Sequence, residues 1–159
     1  MKKVKLRSGF SMLIAIMALV LIAFLSSIVL SISSKMIKET TNQYQHEQAQ
    51  LYAKSFTEYA IMALTANDRT QTCLEDIDGV IGDPNNGNGY RIRVRMAFIG
   101  NGIGKGDVSK CSSTRQLENN VTTTKSPLSA IIDVYVEYKD PDNTSGAWFT
   151  YHRRTLQKI

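Results

Sequence analysis

Hydrophobic and polar positions divide the chain into two regimes. Met12 to Leu25 is an unbroken apolar run, and no charged residue occurs between Arg7 and Lys35. Phe10 to Ile32 is interrupted only by serines; as a helix rising about 1.5 Å per residue it spans about 35 Å, enough for a hydrocarbon layer of roughly 30 Å. From Ser34 to about Ala66 there is no proline or glycine, and Gln, Glu, Lys and Ala are common, so the pattern predicts that the helix continues. Met36, Tyr52, Phe56, Tyr59, Ala60, Ala63 and Leu64 recur at helical spacing and predict an apolar stripe for a sheet to pack on. The opposite side carries Lys35, Lys38, Glu39, Glu47, Lys54 and Glu58, and Asn67-Asp68 marks the stop. One helix from Phe10 to Ala66 would be about 85 Å long, which makes sense if its N-terminal half packs beside other helices.

Beyond residue 67 the period changes from helical to alternating. Tyr90 to Phe98 sets Ile92, Val94, Met96 and Phe98 against Arg91, Arg93 and Arg95. Ala130 to Tyr138 sets Ile132, Val134, Val136 and Tyr138 against Ile131, Asp133, Tyr135 and Glu137. After a turn-rich connection at 139–146, Ala147 to Arg154 predicts a third strand containing Trp148 and Phe149. The expectation is an α+β fold, a long N-terminal helix packed by a small antiparallel sheet of about three strands.

Composition changes this picture little, but charge sharpens it. The 159 residues are 43% hydrophobic and 21% charged, ordinary for a folded chain. The net charge is +5, yet Lys2, Lys3, Lys5 and Arg7 supply four of those charges, so the rest of the chain lies within one charge of neutrality. The basicity is therefore a topology signal that keeps the N-terminus in the cytoplasm. It gives no reason to expect a nucleic-acid partner.

Three readings compete for Met1 to Ser34. A cleaved secretory peptide fits the charges, and Ser31-Ile32-Ser33 is a weak cleavage site, but the apolar core is longer than the usual 7–15 or so residues. A plain signal anchor fits the length. The third reading comes from the border: Arg7-Ser8-Gly9-Phe10-Ser11-Met12-Leu13 resembles the processing site of type IV prepilins and type II secretion pseudopilins. The resemblance implies that prepilin peptidase cuts between Gly9 and Phe10 and that the new Phe10 terminus is N-methylated. Glycine suits the position before the scissile bond, because a residue without Cβ lets a protease approach the backbone closely. Most members of that family carry Glu at the fifth mature position, where it is thought to offset the free ammonium of a neighbouring subunit in lipid. Here that position is Ile14. Members lacking the Glu resemble the PilX and GspK type of minor subunit, at or near a filament tip; drift in an ordinary minor subunit is the alternative. The 48–56 helix, Gln-Ala-Gln-Leu-Tyr-Ala-Lys-Ser-Phe, is weakly similar to its counterpart in the PilX type.

The remaining motifs carry little chemistry. Cys73 and Cys111 are the only cysteines, and both lie past the apolar segment, where disulfides form. A bridge between them closes a loop of about 38 residues and stabilises by up to roughly 4 kcal/mol on the chain-entropy model. Two free thiols are the alternative, and neither His46 nor His152 is spaced to complete a zinc shell. Asp76, Asp78 and Asp83 concentrate carboxylates in 75–89, a weak calcium pattern. Gly87 and Val94 break the EF-hand spacing, and Asp, Asn and Gly also simply make turns. Arg91, Arg93 and Arg95 form a basic stripe open to three readings: pairing with Asp133 and Glu137 on a neighbouring strand, contact with a partner subunit, or contact with DNA phosphates. Asn120, and more simply Asn143, start Asn-x-Ser/Thr sequons. The Gly-rich 100–106 segment reads as a hairpin loop. No nucleophile motif, phosphate-cradling loop or metal cluster argues for an enzyme, and no cofactor is expected.

The sequence thus divides into a leader at 1–9, a transmembrane helix half at 10–33, an amphipathic continuation at 34–66 and a periplasmic head at 67–159. The resemblance implies a minor pilin or pseudopilin in the bacterial inner membrane, single-pass with its C-terminal domain periplasmic, and later in a filament or at its tip. Its expected partners are prepilin peptidase, other pilin-like subunits and inner-membrane lipid. The rival is a signal-anchored binding module for adhesion or DNA uptake that never polymerises.

Overall fold

A computed structural model describes residues 8–68, 72–100, 111–118 and 128–159, with side chains from Met12 onward. One helix, α1, runs Ser8–Ala66, followed by strands β1 (Asp76–Asp83), β2 (Asn88–Gly100), β3 (Gln116–Glu118), β4 (Leu128–Tyr138) and β5 (Phe149–Lys158). The chain falls into two units, Met1–Gln43 and Tyr44–Ile159.

The described part of the first unit is helix alone. The helix is uninterrupted because nothing between Phe10 and Ala66 breaks it. Its apolar residues have no partner within the chain: Met12 to Ile32 are exposed throughout.

In the second unit, the last turns of α1 pack on a sheet of order β1-β2-β4-β5, each neighbour antiparallel, with short β3 running parallel to β2. Alternation works as expected on β2 and β4. Ile92, Val94, Met96 and Phe98 of β2, and Leu128, Ala130, Ile132, Val134 and Val136 of β4, are buried on one face. Ala49, Ala53, Ala60 and Leu64 of α1 are buried in the same core. Thr57 is buried with them, its hydroxyl donating to the Ala53 carbonyl at 2.7 Å. The helix face on the sheet is thus lined with small residues, which lets a strand layer approach closely, while Tyr52 and Phe56 flank it half-buried. Two residues expected in that stripe lie elsewhere: Met36 is 64% exposed and Tyr59 52% exposed. The helix ends where Asn67 closes it, donating its amide to Ala63 O at 3.0 Å and its side chain to Thr72 O at 2.8 Å.

The sheet has five strands rather than three. β1 was hidden by its composition, since acids and glycines there also read as turns. Its glycine answers to packing: a Cβ on Gly79 would sit 3.0 Å from Phe56 Cε1. Gly87 has φ +73°, the left-handed conformation that closes the turn between β1 and β2. β3 has three residues, too few for any periodic signal. The third expected strand begins at Phe149, leaving Trp148 just outside it.

Candidate functional site

Two surfaces distinguish this chain, and they lie in different units. The first is the apolar helix. An 18-residue window within α1 reaches a mean hydropathy of 3.0, and none of it is buried within the protein. Bare apolar surface of this extent needs lipid or other helices to cover it. The helix is long and apolar enough for a single-pass membrane anchor. Gly9 and Phe10 fall in its first turns, where only backbone is described, and residues 1–7 of the leader lie outside the described residues. Ile14 is on the helix and 53% exposed.

The second surface is the outer face of the sheet. Strand register sets its side chains in rows that cross all four long strands. One row is Asp76, Arg95, Asp133 and Arg154; the next is Asp78, Arg93, Tyr135 and His152; the third is Val80, Arg91, Glu137 and Thr150. Where charges stand side by side, their signs alternate.

That placement accounts for the basic stripe. Arg91 and Arg93 both pair with Glu137, the first through Nε at 3.0 Å from Oε2 and the second through Nη2 to Oε1. Glu137 is buried, and the hydrogen bond from Arg93 with the Arg91 charge beside it offsets the water it has lost. Arg95 turns the other way, donating from Nη1 to Asp78 Oδ1 at 2.7 Å and lying 3.5 Å from Asp76. The Asp78 hydrogen bond raises the Arg95 pKa above its ordinary value. Asp133 faces β5, where Arg154 grips it with two bonds of 2.7 and 2.9 Å. His152 Nε2 lies 2.7 Å from Asp133 Oδ1 while its ring stacks on Tyr135 at 4.5 Å. Burial pushes the Asp133 carboxyl up, but the hydrogen bonds from Arg154 and His152 outweigh it and hold it below its ordinary value. All three arginines therefore meet acids of their own sheet, two as expected at Glu137 and the third at β1 acids in place of Asp133. Cations also flank Trp148: Arg91 Cζ lies 4.2 Å and Lys139 Nζ 5.0 Å from its ring centroid.

The proposed calcium ligands do not converge. Asp76 binds Arg115 at 2.8 Å, Asp78 binds Arg95, and Asp83 sits at the far end of β1, capping the 3-10 turn at Asn85. Among the described residues, Cys73, Glu75 and Cys111 form a cluster of metal-type ligands, but its two sulfurs are bonded to each other. The Cys73–Cys111 disulfide has its Cα atoms 5.0 Å apart and ties the segment after α1 to the segment before β3. Glu75 reinforces this junction by accepting from Ser112 N and Oγ. Asn143 is exposed in a turn; Asn120 and residues 101–106 of the Gly-rich segment lie outside the described residues.

One cluster escaped the sequence reading. Tyr52, Tyr90, Tyr138 and Phe149 form a chain of rings with centroids 4.9–5.7 Å apart. Burial, with the neighbouring tyrosines Tyr52, Tyr44 and Tyr138, pushes the Tyr90 phenol up to about 12, keeping it a neutral donor to Gln45 O. The four residues come from four separate elements, α1, β2, β4 and β5, and only the folded chain brings them together. Between α1 and β1, a hollow of about 450 Å³ is lined by Ser55, Phe56, Tyr59, Ile77, Asp78 and Gly79, a mainly apolar set without paired acid and base.

No protein-family model, no curated protein and no solved structure matches this chain.

Proposed function

We propose that this chain is a minor pilin or pseudopilin, matured by prepilin peptidase and assembled with sibling subunits into a filament of the type IV pilus or type II secretion kind. One observation carries the reading: a short basic leader ending at Gly9 opens at Phe10 directly into a bare apolar helix that continues, without a break, into the helix packing a sheet. An anchor for a solitary module needs the apolar length but neither the glycine border nor the continuous helix.

In this reading the helix rests in the inner membrane and then exchanges lipid for neighbouring helices, both of which cover the same apolar surface. The head stays on the periplasmic side, where its disulfide is stable. With Ile14 in place of an acid, the chain brings no carboxylate to neutralise a neighbour's terminal ammonium, which suits a subunit at or near the tip. The protein's work is mechanical, the priming or capping of a filament.

The test is a Gly9→Leu variant expressed in native cells. Wild-type chain should co-purify with other pilin-like subunits after crosslinking, and Gly9→Leu should lose them while remaining in the membrane. A wild-type chain without pilin-like companions, or a Gly9→Leu chain that keeps them, would contradict the reading.

A further inference from the structure

The four-strand path of the sheet ends on two unlike edges. β1 carries Asp76, Asp78 and Asp83 and no basic residue; β5 carries His152, Arg153, Arg154 and Lys158 and no acidic one. Both are long, eight and ten residues, and neither contains a proline or a register shift against its neighbour. Among the described strands, none pairs with the outer edge of either. Natural sheets usually blunt such edges.

We propose that β5 of one copy of this chain pairs with β1 of the next, continuing the sheet from head to head. Two observations point to a second copy as the occupant. Three successive antiparallel pairings make β5 antiparallel to β1, so copies standing side by side in one orientation present an antiparallel pair at the seam. The outer rows also continue in sign. Arg154 closes a row that Asp76 of the next copy reopens, His152 meets Asp78, and uncharged Thr150 meets Val80.

Charge also rejects the alternatives. A β1–β1 pair sets aspartates against aspartates, and a β5–β5 pair sets arginines against arginines, both unfavourable across strands. The contact is therefore heterologous, and such contacts propagate in rings or open chains instead of stopping at a dimer. The seam concerns the heads alone and does not rest on the filament reading.

The test is cysteine crosslinking of the full-length chain in membranes, using Val80→Cys and Thr150→Cys. Both positions are exposed, Val80 by 64%, so the substitutions leave the core intact. Under mild oxidation the double variant should give a ladder of dimers, trimers and larger species, while each single variant stays monomeric. Asp78→Cys with His152→Cys, one row along, should repeat the ladder. Dimers from either single variant would show like-edge contact, and monomers from both double variants would remove the seam; either result overturns the proposal.

Discussion

Glu137 is a buried carboxylate paired with two arginines from the adjacent strand, and Asp133, four residues earlier, is held by residues of the strand on its other side. β4 therefore hands its two acids to opposite neighbours, which stitches three strands together through one. Asp133 gives this arrangement a pH signature. Its pKa is lowered in the folded chain, so its contribution to stability is present above the unfolded value of about 3.9 and is lost as pH falls through the folded value. Asp133→Asn should be less stable than the parent at neutral pH, and the gap should close as pH falls below about 4. Urea unfolding at a series of pH values checks this, and a gap that stays constant would show that Asp133 contributes through packing alone. The sequence offered pairing of the arginine stripe with Asp133 and Glu137 as one of three readings. Which arginine each acid would meet was not visible, because that depends on register and on β1, a strand whose own acids compete for Arg95.

The helix was legible over its whole length, because absence of breakers and a shift from apolar to mixed composition are local signals. Its packing face was legible in part: Ala60 and Leu64 are core as the stripe predicted, with Tyr52 and Phe56 packed beside them, but Met36 and Tyr59 are exposed. Aromatic residues mark a stripe more loudly than alanines do, and the buried Ala49 and Ala53 were missed, while Tyr59 is exposed. Close approach of helix to sheet selects small side chains at the centre of the contact and leaves large ones to its margins. Ala53→Leu should therefore destabilise by about 1–3 kcal/mol through overpacking. Leu51→Ala, on the exposed side two residues away, should change stability by less than about 0.5 kcal/mol. Denaturant titration in detergent reads both, and equal effects would mean the helix meets the sheet by another face. The strands divide in the same way: β2 and β4 alternate cleanly because one face is core, whereas β1 is an edge whose acids and glycines serve pairing and clearance.

At the scale of the whole molecule, the chain joins a surface that cannot stay in water to a small head whose charges are largely matched internally. The first property assigns the N-terminal part to lipid or to other helices. The second turns the apparent basic stripe of Arg91, Arg93 and Arg95 into pairing within the sheet. The architecture was readable from periodicity, and the Cys73–Cys111 bond agreed with the even cysteine count. The tyrosine chain was not readable, because it is assembled from four separate elements. What the chain is for rests on its first ten residues. The most direct measurement is the intact mass and N-terminal sequence of protein purified from native membranes. The account predicts a mature chain that starts at Phe10 and carries one added methyl on its amine; a chain that still starts at Met1 would contradict it.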